Sequence, residues 1–350
     1  MTYRVIQWAT GLVGQEAIKG VVAHPELELV GAWVHSPEKV GRDVGELCGI
    51  GPLGVAASGD LEEICAIDAD CVVYAPVLAS TRTVVRLLES GKNVVTPVGW
   101  IYPTDSPKLA EIEDACRRGG TTLHGTGINP GGITERFPLM LSAMCRDIRH
   151  VRMEEFSDIR NYPTESVVRE VMLFGTPPEQ AATSPMPAVL GDGFTQSIDM
   201  VAAALGWTLD PEKRTTHEMA VATRPLPTPV GVLDEGTVAA QRFTWEGLVG
   251  GEPVITVRVN WLMGEDHLEP AWRLDGQRFE VELDAEPPVA VTFHGLHPPV
   301  VGEHPEIGLI APAMHCVNAI PYVCEAEPGV KTYLDLPLLA GRAGSGRVDE

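Results

Sequence analysis

The residues of this chain that are best suited to bind a ligand form a glycine turn near the N-terminus. Gly11 and Gly14 follow the apolar run YRVIQW and begin a helix-like stretch. In such turns one glycine lets the backbone approach a pyrophosphate, and another lets the helix pack closely on the strand. The free N–H groups at the start of the helix would face the phosphates. We therefore interpret the turn as a dinucleotide-binding site, the alternative being a tight turn without a ligand.

Ala9 stands where such a turn usually has its first glycine. An alanine is tolerated there if its φ angle is negative, because the left-handed region is unfavourable for a residue with a β-carbon. The dinucleotide interpretation therefore includes the expectation of a negative φ at Ala9.

Polar and basic residues follow the second apolar run, LELVGAWVHS, at the position that normally contacts the adenosine ribose. An acidic residue there would bind a 2′-hydroxyl. This chain instead has His35 and Ser36, with Lys39 and Arg42 just beyond. A hydroxyl and two cations suit a 2′-phosphate, so the sequence favours NADP(H), with NAD(H) possible. The alternative is a solvated basic turn.

The elements that would position these residues alternate between strand and helix over residues 1–130. DADCVVYAP is strand-like, and STRTVVRLLESG predicts a capped helix that stops at Gly91. Ser106 as N-cap and Pro107 at the first helical position predict the next helix. Alternation with short loops predicts an α/β domain with a parallel, doubly wound sheet.

The pattern changes near residue 148. HVRMEEFSDIR predicts a strand, TESVVREVMLFG a helix capped by Thr164, and GFTQSIDMVAAALGW a further helix. Turns separate several β-like runs at residues 215–295, which indicates an α+β domain with an open mixed or antiparallel sheet. The late helix IAPAMHCVNAIPYVCEAE could return to the first domain. The expected boundaries are 1–147, 148–305, 306–337 for the returning helix and 338–350 for a flexible tail.

Composition narrows the class of protein and its partners. The chain has 350 residues, of which 44% are hydrophobic, and a formal net charge of −22. Such a surface repels nucleic acid and anionic membranes. We find no signal peptide and no apolar stretch of about 18 residues, and the cysteines form no CxxC pair. We therefore expect a cytoplasmic protein without a disulfide framework or zinc site.

Four segments resemble a known family: IQWATGLVG, VHSPEKVGRDVGELCG, LHGTGINPGG and MHCVNAIPYVCEAEPGVKTYLDLP. They are similar to the dihydrodipicolinate-reductase-like NAD(P)H oxidoreductases, in the subgroup of 2,4-diaminopentanoate dehydrogenase and the native amine dehydrogenases. The resemblance extends from Tyr3 to about Pro337. It implies a Rossmann domain, a substrate domain whose sheet helps dimerisation, and hydride transfer to or from a carbon bonded to nitrogen.

The resemblance also implies which residues contact the cofactor. They are Thr10, Gly11, Leu12 and Val13 at the phosphates; Ser36, Lys39 and Arg42 at the adenosine ribose; Ala75, Pro76 and Val77 under the adenine-ribose and nicotinamide side; and Gly99, Gly127, Asn129, Pro130 and Asn318 at the nicotinamide ring.

Two departures from the family pattern restrict the reaction. Dihydrodipicolinate reductases have two histidines and a lysine on the first strand of the second domain. This chain has Phe156 and Ser157 there, with Arg160 as the nearest cation, so we reject that reaction. The amine dehydrogenases are thought to use a glutamate in the loop after the fourth strand. The corresponding loop, TPVGWIYPTD, has Trp100 and no carboxylate before Asp105.

The missing carboxylate leaves the proton donor open. Glu154 and Glu155 are adjacent on a predicted strand, so one should face the core or cleft and the other solvent. The inward glutamate and Tyr102 are our candidates for the proton donor, although a solvated or salt-bridged carboxylate is the alternative.

The remaining candidates concern the substrate pocket and metals. Trp100 would form a wall of an apolar or aromatic pocket, with Tyr162 and His315 as further pocket residues. His294 and His297 would lie on opposite faces of a strand, so we expect no metal site.

We therefore predict a cytoplasmic, homodimeric NAD(P)H-dependent oxidoreductase, similar to amine dehydrogenases, that acts on an imine, amine or carbonyl group of a small molecule. Amination of simple ketones with ammonia should be poor, and a bulkier preformed imine or carbonyl should be preferred. The alternative is a catalytically silent NADP(H)-binding redox sensor.

Overall fold

A computed structural model of the protein describes residues 2–104, 107–298 and 307–343. The chain forms two compact units. The first unit comprises Met1–Gly131 and Leu309–Glu350, and the second comprises Gly132–Gly308. The first division falls before the expected boundary at residue 147, because the helix that precedes the first long strand already belongs to the second unit.

The first unit is built on strands that alternate with helices. The bounds are β1 (Tyr3–Trp8), α1 (Leu12–Ala23), β2 (Leu27–Trp33), α2 (Val44–Leu47), β3 (Ala57–Ser58), α3 (Leu61–Ala66), β4 (Cys71–Tyr74), α4 (Thr81–Glu89), β5 (Asn93–Thr96), α5 (Pro107–Gly119) and β6 (Thr122–Gly125). Ser80 begins α4 by accepting a hydrogen bond of 3.3 Å from the backbone of Thr83, and Gly91 follows its end with φ of 82°. The predicted cap Ser106 lies outside the described residues.

The second unit is dominated by one sheet. Its bounds are α6 (Arg136–Ser142), β7 (Arg146–Asp158), α7 (Pro178–Thr183), α8 (Met186–Leu205), β8 (Arg214–Ala222), β9 (Leu226–Thr228), β10 (Gly231–Leu233), β11 (Val238–Val249), β12 (Glu252–Leu262), β13 (Leu268–Glu269), β14 (Arg278–Glu286) and β15 (Val289–Phe293). Seven strands follow the order β13-β8-β11-β12-β7-β14-β15. The sheet is mixed, since β7 is parallel to β12 and antiparallel to β14.

Two helices of the second unit differ from the prediction. α8 begins within the proline-rich stretch, immediately after Pro185, because the first turn of a helix tolerates proline. The segment expected to form a helix capped by Thr164 contains a π-helical turn, Val167–Val171, whose N-cap is Ser166 without a side-chain capping bond.

The end of the chain returns to the first unit as α9 (Ile307–Cys324) and β16 (Gly329–Val330). The parallel sheet then has the order β16-β6-β5-β4-β1-β2-β3. Val317 and Ile320 of α9 pack with Val5 of β1 on one side of this sheet, and Leu87 and Ile112 pack on the other. The first unit is therefore doubly wound, as predicted.

α9 corrects one expectation from composition. Its 18 residues have a mean hydropathy of 1.5, long and apolar enough to cross a membrane, whereas we expected no such stretch. Half of this helix is buried. The buried residues include Ala313 and Cys316 and belong to the core of the first unit, which accounts for the apolar composition.

Candidate active site

The turn between β1 and α1 lies at the carboxyl edge of the parallel sheet. The strand order reverses at β1, because β2 and β3 follow on one side of it and β4, β5 and β6 on the other. Such a switch point leaves a crevice for a ligand. A β-carbon placed on Gly11 would meet no atom within 4 Å, so the backbone is open here. A β-carbon on Gly14 would lie 2.1 Å from the carbonyl oxygen of Ala9, so only glycine lets α1 approach this closely.

The first turn of α1 presents its backbone N–H groups to this opening. Its N-cap, Gly11, offers no side-chain capping bond, and the first turn has no acidic residue. A helix N-terminus carries a partial positive charge and unpaired N–H donors, which suit a phosphate. The turn formed by Thr10, Gly11, Leu12 and Val13 therefore fits the pyrophosphate of a dinucleotide.

Ala9 has a φ angle of 73°, so the expectation of a negative angle is wrong. The chain passes through the left-handed region to bring α1 against the end of β1. The buried side chain of Gln7 holds this conformation, because its Nε2 donates to the carbonyl oxygens of Trp8 at 3.1 Å and Ala9 at 3.0 Å. Gln7 was not predicted as a site residue. A polar residue inside the apolar run RVIQWA is the signal that could have found it.

The loop after β2 brings basic residues to the same edge. Lys39 is half-buried, and its Nζ lies 3.3 Å from the hydroxyl and 3.4 Å from the carbonyl oxygen of Thr10. His35 and Arg42 are exposed, and Ser36 is half-buried. The structure thus places one of the two predicted cations against the turn formed by Thr10, Gly11, Leu12 and Val13, which we call the phosphate turn.

Aromatic rings lie below these loops. Trp8 and Trp33 face each other across β1 and β2, with ring centroids 4.2 Å apart and an interplanar angle of 7°. Tyr74, at the end of β4, lies 5.7 Å from Trp8. Among the predicted site residues, Trp8, Trp33 and Tyr74 do not appear, because their contacts depend on the alignment of three separate strands.

The segment after β4 offers apolar surface. Ala75 and Pro76 are half-buried, whereas Val77 and Leu78 are 59% and 60% exposed. Exposed apolar side chains beside a crevice are surface that a planar ring can cover.

The loop after β5 contains Trp100 instead of a carboxylate. Its φ angle is 54°, and a β-carbon on Gly125 would lie 2.3 Å from its carbonyl oxygen. Gly99 has φ of 91° and open space beside its Cα. Trp100 and Tyr102 are both half-buried. The loop therefore presents a tryptophan and a tyrosine, and its described part up to Thr104 has no acidic side chain.

The loop after β6 is fastened by a residue that was not predicted. Its predicted site residues are Gly127, Asn129 and Pro130. The hydroxyl of Tyr333 donates to the carbonyl oxygen of Gly131 at 2.6 Å and lies 2.5 Å from the Thr126 hydroxyl. Tyr333 belongs to the family-like segment KTYLDLP, but nothing in the sequence shows that it reaches this loop.

α9 carries two predicted site residues, Asn318 and His315, both half-buried. A β-carbon on Gly341 would lie 3.5 Å from the side-chain nitrogen of Asn318. The neighbouring Arg342 donates to Glu26, just beyond the C-terminal end of α1, at 2.7 Å. Asn318 therefore lies towards that end of α1, and its predicted contact with the nicotinamide ring stays a prediction.

In the second unit, Glu154 and Glu155 are both buried, with exposed fractions of 6% and 8%, so the expectation that one faces solvent is wrong. Side chains of the neighbouring strand β12 give each glutamate a polar partner on its own face of the sheet. Glu154 is ion-paired with Arg152 and accepts a hydrogen bond of 2.9 Å from Asn260. Burial opposes the charge of Arg152, but hydrogen bonds and charges of Glu282 and other glutamates raise its pKa.

Glu155 faces the opposite side of β7 and belongs to a polar cluster. Its Oε1 accepts hydrogen bonds from Ser157 at 2.6 Å and from the Trp261 indole at 2.8 Å. The Ser157 hydroxyl also lies 2.8 Å from Nε2 of His297. Burial lowers the pKa of His297, and the charge of Glu155 opposes this shift. β15 ends at Phe293, so His297 lies beyond the strand. The prediction that alternation places His294 and His297 on opposite faces of a strand is therefore wrong in its premise.

The remaining candidates lie just after β7. Tyr162 is half-buried, and burial raises its pKa. Nε of Arg160 donates to the Asp158 carboxylate at 2.9 Å, so the nearest cation to Phe156 and Ser157 in this stretch is already paired.

Residues 5–118 match the dihydrodipicolinate reductase N-terminus, and residues 133–270 match the 2,4-diaminopentanoate dehydrogenase C-terminal domain. An amine dehydrogenase from Streptomyces virginiae is 34% identical over 97% of this chain and 98% of its own length. A 2,4-diaminopentanoate dehydrogenase from Acetoanaerobium sticklandii is 27% identical over 72% of this chain and 68% of its own. The structure of an amine dehydrogenase from Mycobacterium smegmatis has the same fold, with a TM-score of 0.81, 22% identity and 98% of each chain covered.

Proposed function

The chain belongs to the amine dehydrogenase family, and from this premise we propose that it transfers a hydride to or from a carbon bonded to nitrogen, with NAD(P)(H) as cofactor. The observation that carries the proposal is the open Gly11 beside the uncapped start of α1, which fits a pyrophosphate. The cofactor, when bound, supplies the hydride, and the protein supplies binding, orientation and exclusion of water.

The residues of the first unit divide this work. The N–H groups of the phosphate turn would hold the pyrophosphate, and the loop after β2 would hold the adenosine ribose. Ala75, Pro76 and Val77 would lie under the adenine-ribose and nicotinamide side. Gly99, which has open space beside its Cα, would border the nicotinamide ring together with Gly127, Asn129 and Pro130, and Asn318 would reach it from α9.

We propose a preference for NADP(H) because Ser36 and Arg42 offer a hydroxyl and a guanidinium beside the ribose position. Hydrogen bonds between charged groups contribute about 1.5–3 kcal/mol each, and NADH has no 2′-phosphate to receive them. A fluorescence titration with both nucleotides tests this. Equal dissociation constants for NADPH and NADH would contradict it.

The substrate class follows from the loop after β5. Reductive amination must deliver ammonia, move protons and stabilise a cationic imine, and a carboxylate can serve all three needs. Trp100 can only stack on a cation or fill space. We therefore propose that simple ketones and ammonia are poor substrates and that a bulkier preformed imine or carbonyl compound is preferred. Tyr102 is the proposed proton donor, because it lies in the same loop as Trp100 and its side chain is half-buried.

Replacing Trp100 tests this proposal. Trp100→Glu should gain amination of small ketones with ammonia. Trp100→Gln should not, because glutamine has nearly the shape of glutamate but lacks its charge. Both variants should bind NADPH as the wild type does, which a titration checks. Good amination by the wild type, or an equal gain in both variants, would contradict the assigned role of the carboxylate.

A second function is favoured by the same absence of an acidic side chain from the described loop. The protein would then bind NADP(H) and sense redox state without catalysis. A broad panel of amines, ketones with ammonia, and cyclic imines separates the two functions. NADPH binding without turnover in the wild type and in Trp100→Glu would support the sensor.

We further propose a cytoplasmic homodimer that forms through residues 215–295. α8 covers one face of the second unit's sheet, where Phe194 stacks on Trp245 at 4.4 Å. The other face carries ion pairs across strands, such as Arg242 with Glu218 at 3.4 Å. A second copy would give this polar face a partner. Sedimentation at micromolar concentration tests the proposal, and a monomer would contradict it.

A further inference from the structure

We propose that Lys39 binds the pyrophosphate common to both nucleotides, and that the discrimination of the 2′-phosphate is left to Arg42 with Ser36. The inference rests on dinucleotide binding by the first unit, but it does not depend on a preference for NADP(H). It changes the prediction from the sequence, in which Lys39 and Arg42 act together on the 2′-phosphate.

The position of the Lys39 ammonium carries this inference. Its Nζ lies 3.3 Å from the hydroxyl and 3.4 Å from the carbonyl oxygen of Thr10, the residue immediately before the open Gly11. Thr10 is 3% exposed, and Gln15 also donates to its carbonyl oxygen, at 3.3 Å. The ammonium is therefore held beside the turn and the start of α1, where a pyrophosphate would meet it.

The backbone of Arg42 lies beside β3, which flanks β2 on the side away from β1. Its carbonyl oxygen accepts a hydrogen bond of 2.9 Å from Ala57 of β3, the last strand at that edge of the sheet, and its side chain is exposed. An adenosine ribose lies over the end of β2 in folds of this class. The Lys39 ammonium thus contacts the turn that follows β1, whereas the Arg42 side chain is exposed.

Two fragments of the cofactor separate these positions. ADP has the pyrophosphate without a 2′-phosphate, and 2′-AMP has the 2′-phosphate without a pyrophosphate. Displacement of bound NADPH, followed by fluorescence, gives the affinity of each fragment for the full-length protein. Direct titrations add NADPH and NADH, so that the readout is binding and not turnover.

Lys39→Gln should weaken ADP, NADH and NADPH by similar factors, about 10- to 100-fold, because it removes a charge at the pyrophosphate. Lys39→Arg should restore most of this affinity. Arg42→Gln should weaken 2′-AMP and NADPH and leave ADP and NADH within about twofold, since neither carries the group that it binds. Lys19→Gln is the matched control, because Lys19 on α1 is already paired with Glu16 at 2.7 Å, and all four ligands should bind it normally.

The outcomes are distinct. Loss of 2′-AMP and NADPH affinity alone in Lys39→Gln would overturn the inference, and so would unchanged ADP binding. Equal NADPH and NADH affinities in the wild type would contradict the proposed cofactor preference, while an equal loss in Lys39→Gln would still support the assignment of Lys39. A wild type that binds none of the ligands would overturn both.

Discussion

The loops after β1 and β5 share a backbone conformation and differ in their side chains. In each loop a residue with a β-carbon has a positive φ angle, 73° at Ala9 and 54° at Trp100. In each, a glycine closely approaches the carbonyl oxygen of that residue, Gly14 in the first loop and Gly125 in the second. The first loop thereby stays open around Gly11, whereas the second presents a large ring.

This difference separates binding from chemistry. A residue with a β-carbon in the left-handed region costs about 1–2 kcal/mol, so both loops must be held by their surroundings. In the first loop, Gln7 and Gly14 fix a backbone that any dinucleotide could use. In the second, the same kind of backbone carries Trp100, the side chain that we propose limits which reaction is available.

The largest effect is expected when a β-carbon is added at Gly14, where α1 approaches the first loop most closely. In Gly14→Ala the new β-carbon would lie 2.1 Å from the Ala9 carbonyl oxygen, so α1 must move. Overpacking of this kind costs about 1–3 kcal/mol, and displacement of α1 should lower NADPH affinity by more than 100-fold. Thermal unfolding and an NADPH titration measure the two effects.

Two variants sharpen this result. Gly125→Ala should lose similar stability, since its β-carbon would lie 2.3 Å from the Trp100 carbonyl oxygen, but should retain more of the cofactor affinity. Gly11→Ala should unfold like the wild type, because Gly11 has φ of −71° and open space, and should nevertheless bind NADPH more weakly. If Gly14→Ala is as stable as Gly11→Ala, the close approach of α1 is not essential.

The glycine turn and the doubly wound sheet could be predicted because they depend on local spacing along the chain. The φ angle of Ala9 could not, since it results from the approach of α1 and the bonds of Gln7. The burial of both Glu154 and Glu155 escaped prediction for a related reason. Alternation along β7 gives the direction of each side chain, but the covering partners Asn260 and Trp261 stand on another strand.

An intermediate effect is expected at the loop that borders Gly125. Tyr333→Phe removes the hydroxyl that donates to the Gly131 carbonyl oxygen and contacts the buried Thr126 hydroxyl. The Thr126 hydroxyl still donates to the Gly131 carbonyl oxygen at 3.3 Å, so the variant should lose about 0.5–1.5 kcal/mol of stability, as for one ordinary hydrogen bond. The phosphate turn is untouched, so the dissociation constant of NADPH should change less than twofold while kcat falls. Tyr322→Phe is the control, because that hydroxyl accepts a bond from the exposed Ala340, and kcat should be unchanged. Equal kcat in the two variants would argue against a positioning role for Tyr333.

The smallest expected effect concerns the conformation of Ala9 itself. Ala9→Gly removes a left-handed strain of about 1–2 kcal/mol, but glycine also increases the entropy of the unfolded chain by about 0.4–1 kcal/mol. The net result should be a gain of about 0.5–1 kcal/mol in the free energy of unfolding, measured by denaturant titration. Ala66→Gly, at the exposed end of α3, should lose stability, because only the entropy and helix-propensity costs apply there. If the free energy of unfolding rises in Ala9→Gly and falls in Ala66→Gly, the left-handed conformation of Ala9 is strained. A loss in Ala9→Gly as large as in Ala66→Gly would mean that the left-handed turn costs alanine nothing.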